Sequence, residues 1–180
     1  MQRFFYFVLT KNHIASLNKN ILTSGKTTKF ILISTNKTKK MAKQIFINLV
    51  VKDLQKSMDF YMALGFTNNP QFSDDSGKCM VWSENIFVMI MTHEKFTTFA
   101  TKPLADTKST LAGLFSLSTD SLSEVNNILA NGLKAGGTEP REMKDYGFMQ
   151  QRTIEDFDGH TWEVFYMDIS KFPNKPQADK

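Results

Sequence analysis

The sequence predicts an α+β fold built from two strand-helix-strand-strand-strand modules within one domain. An apolar, β-branched run at 44–51 leads into a helical pattern that stops at Gly65. The same order of patterns returns at 111–167, where a strand, a helix and three further strands follow one another. A repeated order of elements is typical of a duplicated module. We therefore place the domain at 41–168, with modules at about 43–92 and 111–168.

The first module begins with a run at 44–51 that is apolar on both faces, as in a strand covered on both sides. Asp53 is the predicted cap of the next helix, because its carboxylate can accept bonds from the free N–H groups there. That helix is expected to reach about Leu64, with Gly65 just past its end. Strands are then predicted at 66–72, 79–82 and 86–91.

The second module follows a polar connector at 92–110, for which we predict one short helix. Residues 111–119 are the next predicted strand, and Ser121 caps a helix that ends near Gly136 and Gly137. Strands are predicted near 138–143, 148–154 and 161–167. Residues 169–180, which contain two prolines, are expected to form a flexible tail.

Charge is distributed unevenly along the chain. Residues 1–40 hold eight of the 22 basic side chains and no acid, so 14 basic and 18 acidic residues give 41–180 a net charge of −4. A mildly acidic body lacks the basic clusters that nucleic-acid binding requires, and we expect no nucleic-acid partner. The basic leader at 1–40 is an artefactual extension, a targeting segment or a basic arm. We favour the first and expect the leader to be disordered or foreign to the native chain.

Cysteine content and hydropathy bear on the compartment. Cys79 is the single cysteine, which excludes an internal disulfide and favours a reducing, cytoplasmic environment. The apolar runs of the leader fall well short of the roughly 20 residues that a membrane span needs. We therefore expect a cytoplasmic protein with no membrane partner.

The stretch 155–167 contains the most informative acid of the chain. Turn-forming residues at 156–159 precede a strand in which Glu163 lies on the same face as Phe165 and Met167. A carboxylate among apolar side chains must bind a cation, pair with an arginine, bond to the polar end of a hydrophobic ligand or lie at a wet rim. The residues by themselves leave these four roles open.

Two motifs resemble the vicinal oxygen chelate superfamily, which includes glyoxalases, extradiol dioxygenases and fosfomycin- and bleomycin-resistance proteins. They are NLVVKDLQKSMDFYMALGF in the first module and DFDGHTWEVFYMD at the end of the second. The resemblance covers residues 43–168 and implies two βαβββ modules whose sheets curl into a cup, often completed or paired through a homodimer. It is specific for fold rather than reaction, because unrelated chemistries share this scaffold.

For metal-bearing members, the resemblance implies ligands from the first and fourth strands of each module. Matching the VKDL and DGH turns places four residues at these positions, namely Phe46, Val88, Leu114 and Glu163. Tight binding of a divalent ion needs at least three suitable donors, and only Glu163 is one. We therefore predict no resident cofactor, with a divalent metal as the disfavoured alternative.

The metal-free, bleomycin-resistance branch implies a cup that binds a small organic molecule. The residues predicted to face this cup are Phe46, Asn48, Val50, Ile86, Val88, Ile90, Leu114, Ser116, Glu163 and Phe165. They form an apolar lining with a few polar groups, as small-molecule pockets do. Tyr146 and Arg152 are further candidates. Tyr146 presents its hydroxyl at the mouth of the cup, while Arg152 holds an anion, pairs with Glu163 across neighbouring strands, or makes a surface or cross-strand salt bridge.

Two other functions stay open at this point. The chain is alternatively a lyase or isomerase resembling lactoylglutathione lyase, with Glu163 as catalytic base or metal ligand. It is otherwise a ligand-free dimer or interaction module, in which the two modules only close an interface.

Overall fold

The computed structural model describes residues 43–173, so the predicted leader at 1–40 lies outside the described residues. The chain from 43 to 173 forms two four-stranded mixed sheets with helices packed against them. This architecture confirms the predicted α+β class and the order of elements in both modules. None of the helices in this part of the chain is long and apolar enough to cross a bilayer.

The first module follows the predicted strand-helix-strand-strand-strand order. Its elements are β1 (Ile45–Val50), α1 (Leu54–Ala63), β2 (Thr67–Asn69), β3 (Gly77–Val81) and β4 (Ile86–Met91). The strands lie in the order β1-β4-β3-β2, with β1 parallel to β4 and the other neighbours antiparallel. Asp53 caps α1 by accepting a bond from the Lys56 N–H at 3.0 Å, as the sequence predicted.

The second module repeats the same topology after a connector that carries one short helix, α2 (His93–Thr97). Its elements are β5 (Leu114–Ser118), α3 (Leu122–Lys134), β6 (Lys144–Asp145), β7 (Met149–Glu155) and β8 (Thr161–Met167). The strand order is β5-β8-β7-β6, again with one parallel pair, β5 and β8. Ser121 caps α3 by accepting from the Glu124 N–H at 3.1 Å.

Prolines shorten two of the predicted strands. The strand predicted at 66–72 ends at Asn69, because Pro70 opens a short 3-10 turn and has no N–H for a strand ladder. Within 138–143, Thr138 makes a single bridge to Glu155, Pro140 has no N–H to continue a ladder, and the strand that pairs with β7 begins only at Lys144. The resulting loop at 139–143 carries Arg141, which pairs with Glu163 of β8.

The chain after β8 is more regular than the sequence predicted. Ile169–Lys171, which the sequence placed in a flexible tail, form a 3-10 turn, and Asp168 caps this turn by accepting from the Ser170 N–H at 3.0 Å. Phe172 packs edge-on against Phe148, with ring centroids 4.9 Å apart. The rest of the predicted tail, 174–180, lies outside the described residues.

One hydrophobic core joins the two modules. The helices α1 and α3 contact each other, and each packs on the sheet of its own module. The strand residues of this core alternate with residues that point away from it: Leu49, Val88, Leu117, Ile154, Trp162 and Val164 lie in the core. We call the side of each sheet that turns away from the core its open face.

Candidate functional site

The open face of the first sheet is apolar. The parallel register of β1 and β4 places Phe46 beside Phe87 and Asn48 beside Met89. The Phe46 and Phe87 rings stack with centroids 4.7 Å apart and 11° between their planes, so both side chains are on the same face. Phe46 is 43% exposed even with this contact. The face therefore offers an accessible aromatic surface.

The prediction that Ile86, Val88 and Ile90 face the cup is wrong. Val88 pairs with Ile47 and is fully buried in the core, and Ile90 is buried there as well. The run at 86–91 is apolar on both faces, so its sequence contains no alternation from which the register could be read. Met89, one residue further on, occupies the fourth-strand position of the open face.

On the second sheet, Glu163 lies on the open face as predicted, between Ser116 of β5 and Thr153 of β7. The Ser116 hydroxyl donates to Glu163 Oε2 at 2.8 Å. Arg141 Nη2 donates to Glu163 Oε1 at 2.5 Å, and Arg141 Nε donates to Thr153 Oγ1 at 2.8 Å. Of the four roles that the sequence left open for Glu163, the structure shows pairing with an arginine.

Arg141 is the site residue that the sequence interpretation missed. It lies in the loop at 139–143, which the sequence predicted as a strand, and a strand assignment gave this side chain no relation to Glu163. The available signal was chemical rather than positional, since a carboxylate on an apolar face needs a counter-charge. That signal does not say which arginine of the chain supplies it.

Arg152, the arginine that the sequence did single out, lies on the core side of its sheet. It pairs with Val164 in the register of β7 and β8 and donates to both carboxylate oxygens of Glu139, at 2.9 and 2.6 Å. Its bonds to Glu139 raise the pKa of the guanidinium. Of the three roles considered for Arg152, the structure shows the salt bridge, and the pairing with Glu163 is wrong.

The remaining predicted residues belong to the second module. Leu114 is 44% exposed and lies two residues before Ser116 on β5, while Phe165 follows Glu163 on the same face of β8. Tyr146 is 49% exposed in the turn between β6 and β7, at the Met167 end of the sheet. A role of these residues in ligand binding stays a prediction.

The turn before β8 holds Glu163 in place relative to the first module. Asp156 is buried and accepts bonds from the Tyr61 hydroxyl and the His160 N–H, each at 2.9 Å. His160 Nε2 lies 2.7 Å from the Val50 carbonyl oxygen, so this nitrogen is the donor. Burial raises the pKa of the Asp156 carboxyl, and the proximity of His160 opposes that rise. The buried network ties β8 to β1 and α1.

The residues at the four family positions do not fit a divalent metal. With the corrected register these residues are Phe46, Met89, Leu114 and Glu163, of which only Glu163 is a hard donor. Both Glu163 oxygens are already bonded, one to Arg141 and the other to Ser116. Among residues 43–173, no three His, Cys, Asp or Glu side chains lie close enough together to hold a metal ion.

Known structures share this fold. A hypothetical protein of S. aureus superposes with a TM-score of 0.59 at 24% identity, over 70% of this chain and 94% of that one. A glyoxalase/bleomycin resistance protein/dioxygenase family enzyme from Burkholderia phytofirmans PsJN gives 0.58 at 14% identity, over 70% and 99%. The fosfomycin resistance protein FosX from Listeria monocytogenes gives 0.51 at 16%, over 72% and 97%. At such identities these likenesses show the fold and carry no activity.

Sequence comparison gives the family directly. No match was found among the curated proteins. The sequence model of the Glyoxalase/Bleomycin resistance protein/Dioxygenase superfamily matches residues 43–164, which spans both βαβββ modules. The chain therefore belongs to the Glyoxalase/Bleomycin resistance protein/Dioxygenase superfamily.

Proposed function

We propose that the protein binds a small, mostly apolar organic molecule on its open faces and does so without a resident divalent metal. The observation that carries this proposal is the residue set at the four family positions. Phe46, Met89 and Leu114 offer apolar contact there, and Glu163 is neutralised by Arg141. A set of this kind suits a binding pocket with a few polar groups better than it suits a metal centre.

Exposed apolar area supplies the driving force for such binding. Phe46 and Leu114 are each more than two-fifths exposed. Covering the exposed part of one such side chain contributes about 1 kcal/mol, because burying the whole side chain contributes about 1.5–3 kcal/mol. The stacked pair of Phe46 and Phe87 also presents a flat aromatic surface on which a planar ligand can pack.

The bonding of Glu163 favours binding over the lyase or isomerase alternative. A general base needs an oxygen within hydrogen-bond reach of the proton that it removes. Here the Arg141 guanidinium occupies Oε1 and the Ser116 hydroxyl occupies Oε2. Each oxygen keeps one free lone pair, so a substrate proton would have to approach Glu163 beside the Arg141 guanidinium or the Ser116 hydroxyl.

The proposal is tested with the full chain, purified without added metal, and an uncharged fluorescent probe, N-phenyl-1-naphthylamine. We expect far less than one equivalent of zinc, nickel, manganese or iron by elemental analysis, and saturable binding of the probe by fluorescence titration. Phe46→Ser should weaken probe binding by about tenfold, because it removes an aromatic contact. Phe99→Ser is the matched control, since Phe99 is 57% exposed and lies after α2, outside both open faces.

Three results would contradict this function in different ways. Stoichiometric metal that disappears in Glu163→Gln would establish a metal centre. Turnover of a hemithioacetal that is lost in the same variant would favour the lyase. Absence of probe binding would favour the third function, a dimer or interaction module that binds no small ligand.

We also propose that the protein is a homodimer. The strands β1 and β5 are the edge strands of their sheets, and among the described residues no strand covers their outer edges. Phe46 and Leu114 lie on these edge strands, each seven residues before a helix cap. A second copy placed by two-fold symmetry would cover both edges at once. Light scattering should therefore give twice the mass of one chain, and the mass of a single chain would contradict the dimer.

A cytoplasmic location remains part of the proposal. Its support is Cys79, a free thiol that is buried on β3, which suits a reducing compartment. Recovery of the protein in a secreted or membrane fraction would contradict it.

A further inference from the structure

The pair of Arg141 and Glu163 determines which chemical group the polar end of a ligand should carry. We infer that Arg141 is the ligand-recognition residue of the second open face and that it binds the carboxylate of a small organic acid. The inference rests on the proposed function and deepens it, because it assigns the polar end of the ligand. The inference follows from the pairing at this site. Glu163, the one family position that still carries a carboxylate, is paired with a fixed guanidinium instead of a metal ion.

The guanidinium has unused hydrogen-bonding capacity. It carries five N–H donors, of which Nε–H bonds to Thr153 and one Nη2–H bonds to Glu163. No acceptor among the described residues takes the other three. The Arg141 side chain is 39% exposed, so these donors can be reached from solution. A carboxylate matches their planar, forked arrangement through two parallel bonds.

Thr153 holds the Arg141 guanidinium in one orientation. Its side chain is almost completely buried, with 2% of the residue exposed, and its hydroxyl accepts from Arg141 Nε. A long side chain held at two points, Thr153 and Glu163, has lost rotamer freedom before any ligand arrives. Arg141 is therefore prepared for binding, in contrast to a free surface arginine.

The charge of the site selects the kind of anion. Arg141 and Glu163 together carry no net charge. An anionic ligand is therefore attracted by the guanidinium and repelled by the nearby carboxylate. That balance favours a monoanion over a dianion such as a phosphate ester. Leu114 and Phe165 extend the same open face on either side of the pair, which suits an acid with an apolar body.

The first test measures binding of sodium phenylacetate to the full chain by isothermal titration calorimetry at constant ionic strength. Arg141→Gln should weaken binding by at least tenfold, while binding of the neutral analogue phenylacetamide should not change with this substitution. Lys134→Gln is the matched control, because it removes one positive charge from the exposed end of α3. It should leave phenylacetate binding within about twofold of wild type.

The second test uses a substitution with the opposite expected sign. Glu163→Gln removes the carboxylate that repels the ligand and competes for the guanidinium, so phenylacetate should bind several-fold more tightly. Thr153→Val should weaken binding, because it removes the acceptor that positions Nε. These two variants decide the question even if Arg141→Gln fails to fold.

The inference is overturned if phenylacetate binds equally well to wild type and Arg141→Gln, or if Glu163→Gln abolishes its binding. It is also overturned if the wild-type protein binds N-phenyl-1-naphthylamine but not phenylacetate, a result that leaves the proposed function intact. Failure of both probes would overturn the proposed function as well, so the two failures can be distinguished.

Discussion

Trp162→Ala is expected to lower the free energy of unfolding by about 3–5 kcal/mol. Trp162 is fully buried and is the largest such side chain among the described residues. The rings of Phe115, Phe66 and Tyr61 surround it, with centroids 5.0, 5.9 and 6.0 Å away. Truncation leaves a large cavity where the two modules meet and removes the indole N–H bond to the Tyr61 hydroxyl.

Urea unfolding followed by circular dichroism measures this loss, and Trp82→Ala is the matched control. Trp82 has the same side chain but is only half-buried, at the end of the first module's sheet, where it packs on Phe66 at 5.0 Å. Trp82→Ala should lower the free energy of unfolding by less than half as much, because Trp82 buries less apolar surface than Trp162 does. Equal losses for the two variants would contradict the larger contribution expected of the fully buried Trp162.

Gly159→Ala is expected to be the second most damaging of these substitutions, at about 2–5 kcal/mol. Gly159 has a φ of +92°, a conformation in which an L side chain is strained. A Cβ at this position would also lie 2.2 Å from the Thr107 carbonyl oxygen, a backbone atom that cannot move aside alone. The turn before β8 and the connector at 106–108 would have to separate.

Gly147→Ala separates the two contributions. Gly147 has a φ of +80° in the turn between β6 and β7, and nothing lies within 4 Å of the Cβ that alanine would add. Only the conformational cost of about 1–2 kcal/mol applies there. The excess loss in Gly159→Ala therefore measures the contact with Thr107. Thermal unfolding of both variants gives it, and equal melting temperatures would contradict a clash.

Local sequence patterns were enough to predict the family, the order of elements and the face of Glu163. Asp53 and Gly65 mark the ends of α1 as predicted, because caps and positive φ depend on a few neighbouring residues. Glu163 falls on the predicted face of β8, because strand alternation is fixed by the backbone. The match of the superfamily model over residues 43–164 is consistent with the two motifs that suggested the family.

The surroundings of Glu163 could be seen only in the folded chain. Val88 and Met89 are both apolar, so the choice between them depends on hydrogen bonds to β1, 41 residues earlier in the chain. Arg141 reaches Glu163 from a loop, and Arg152 turns to Glu139 on the other face of the sheet. An ion pair is set by the distance between two charges in space, and the sequence pattern of a strand fixes only which face each residue occupies. The identity of the counter-charge, and with it the expected chemistry of the ligand, is therefore a property of the folded chain.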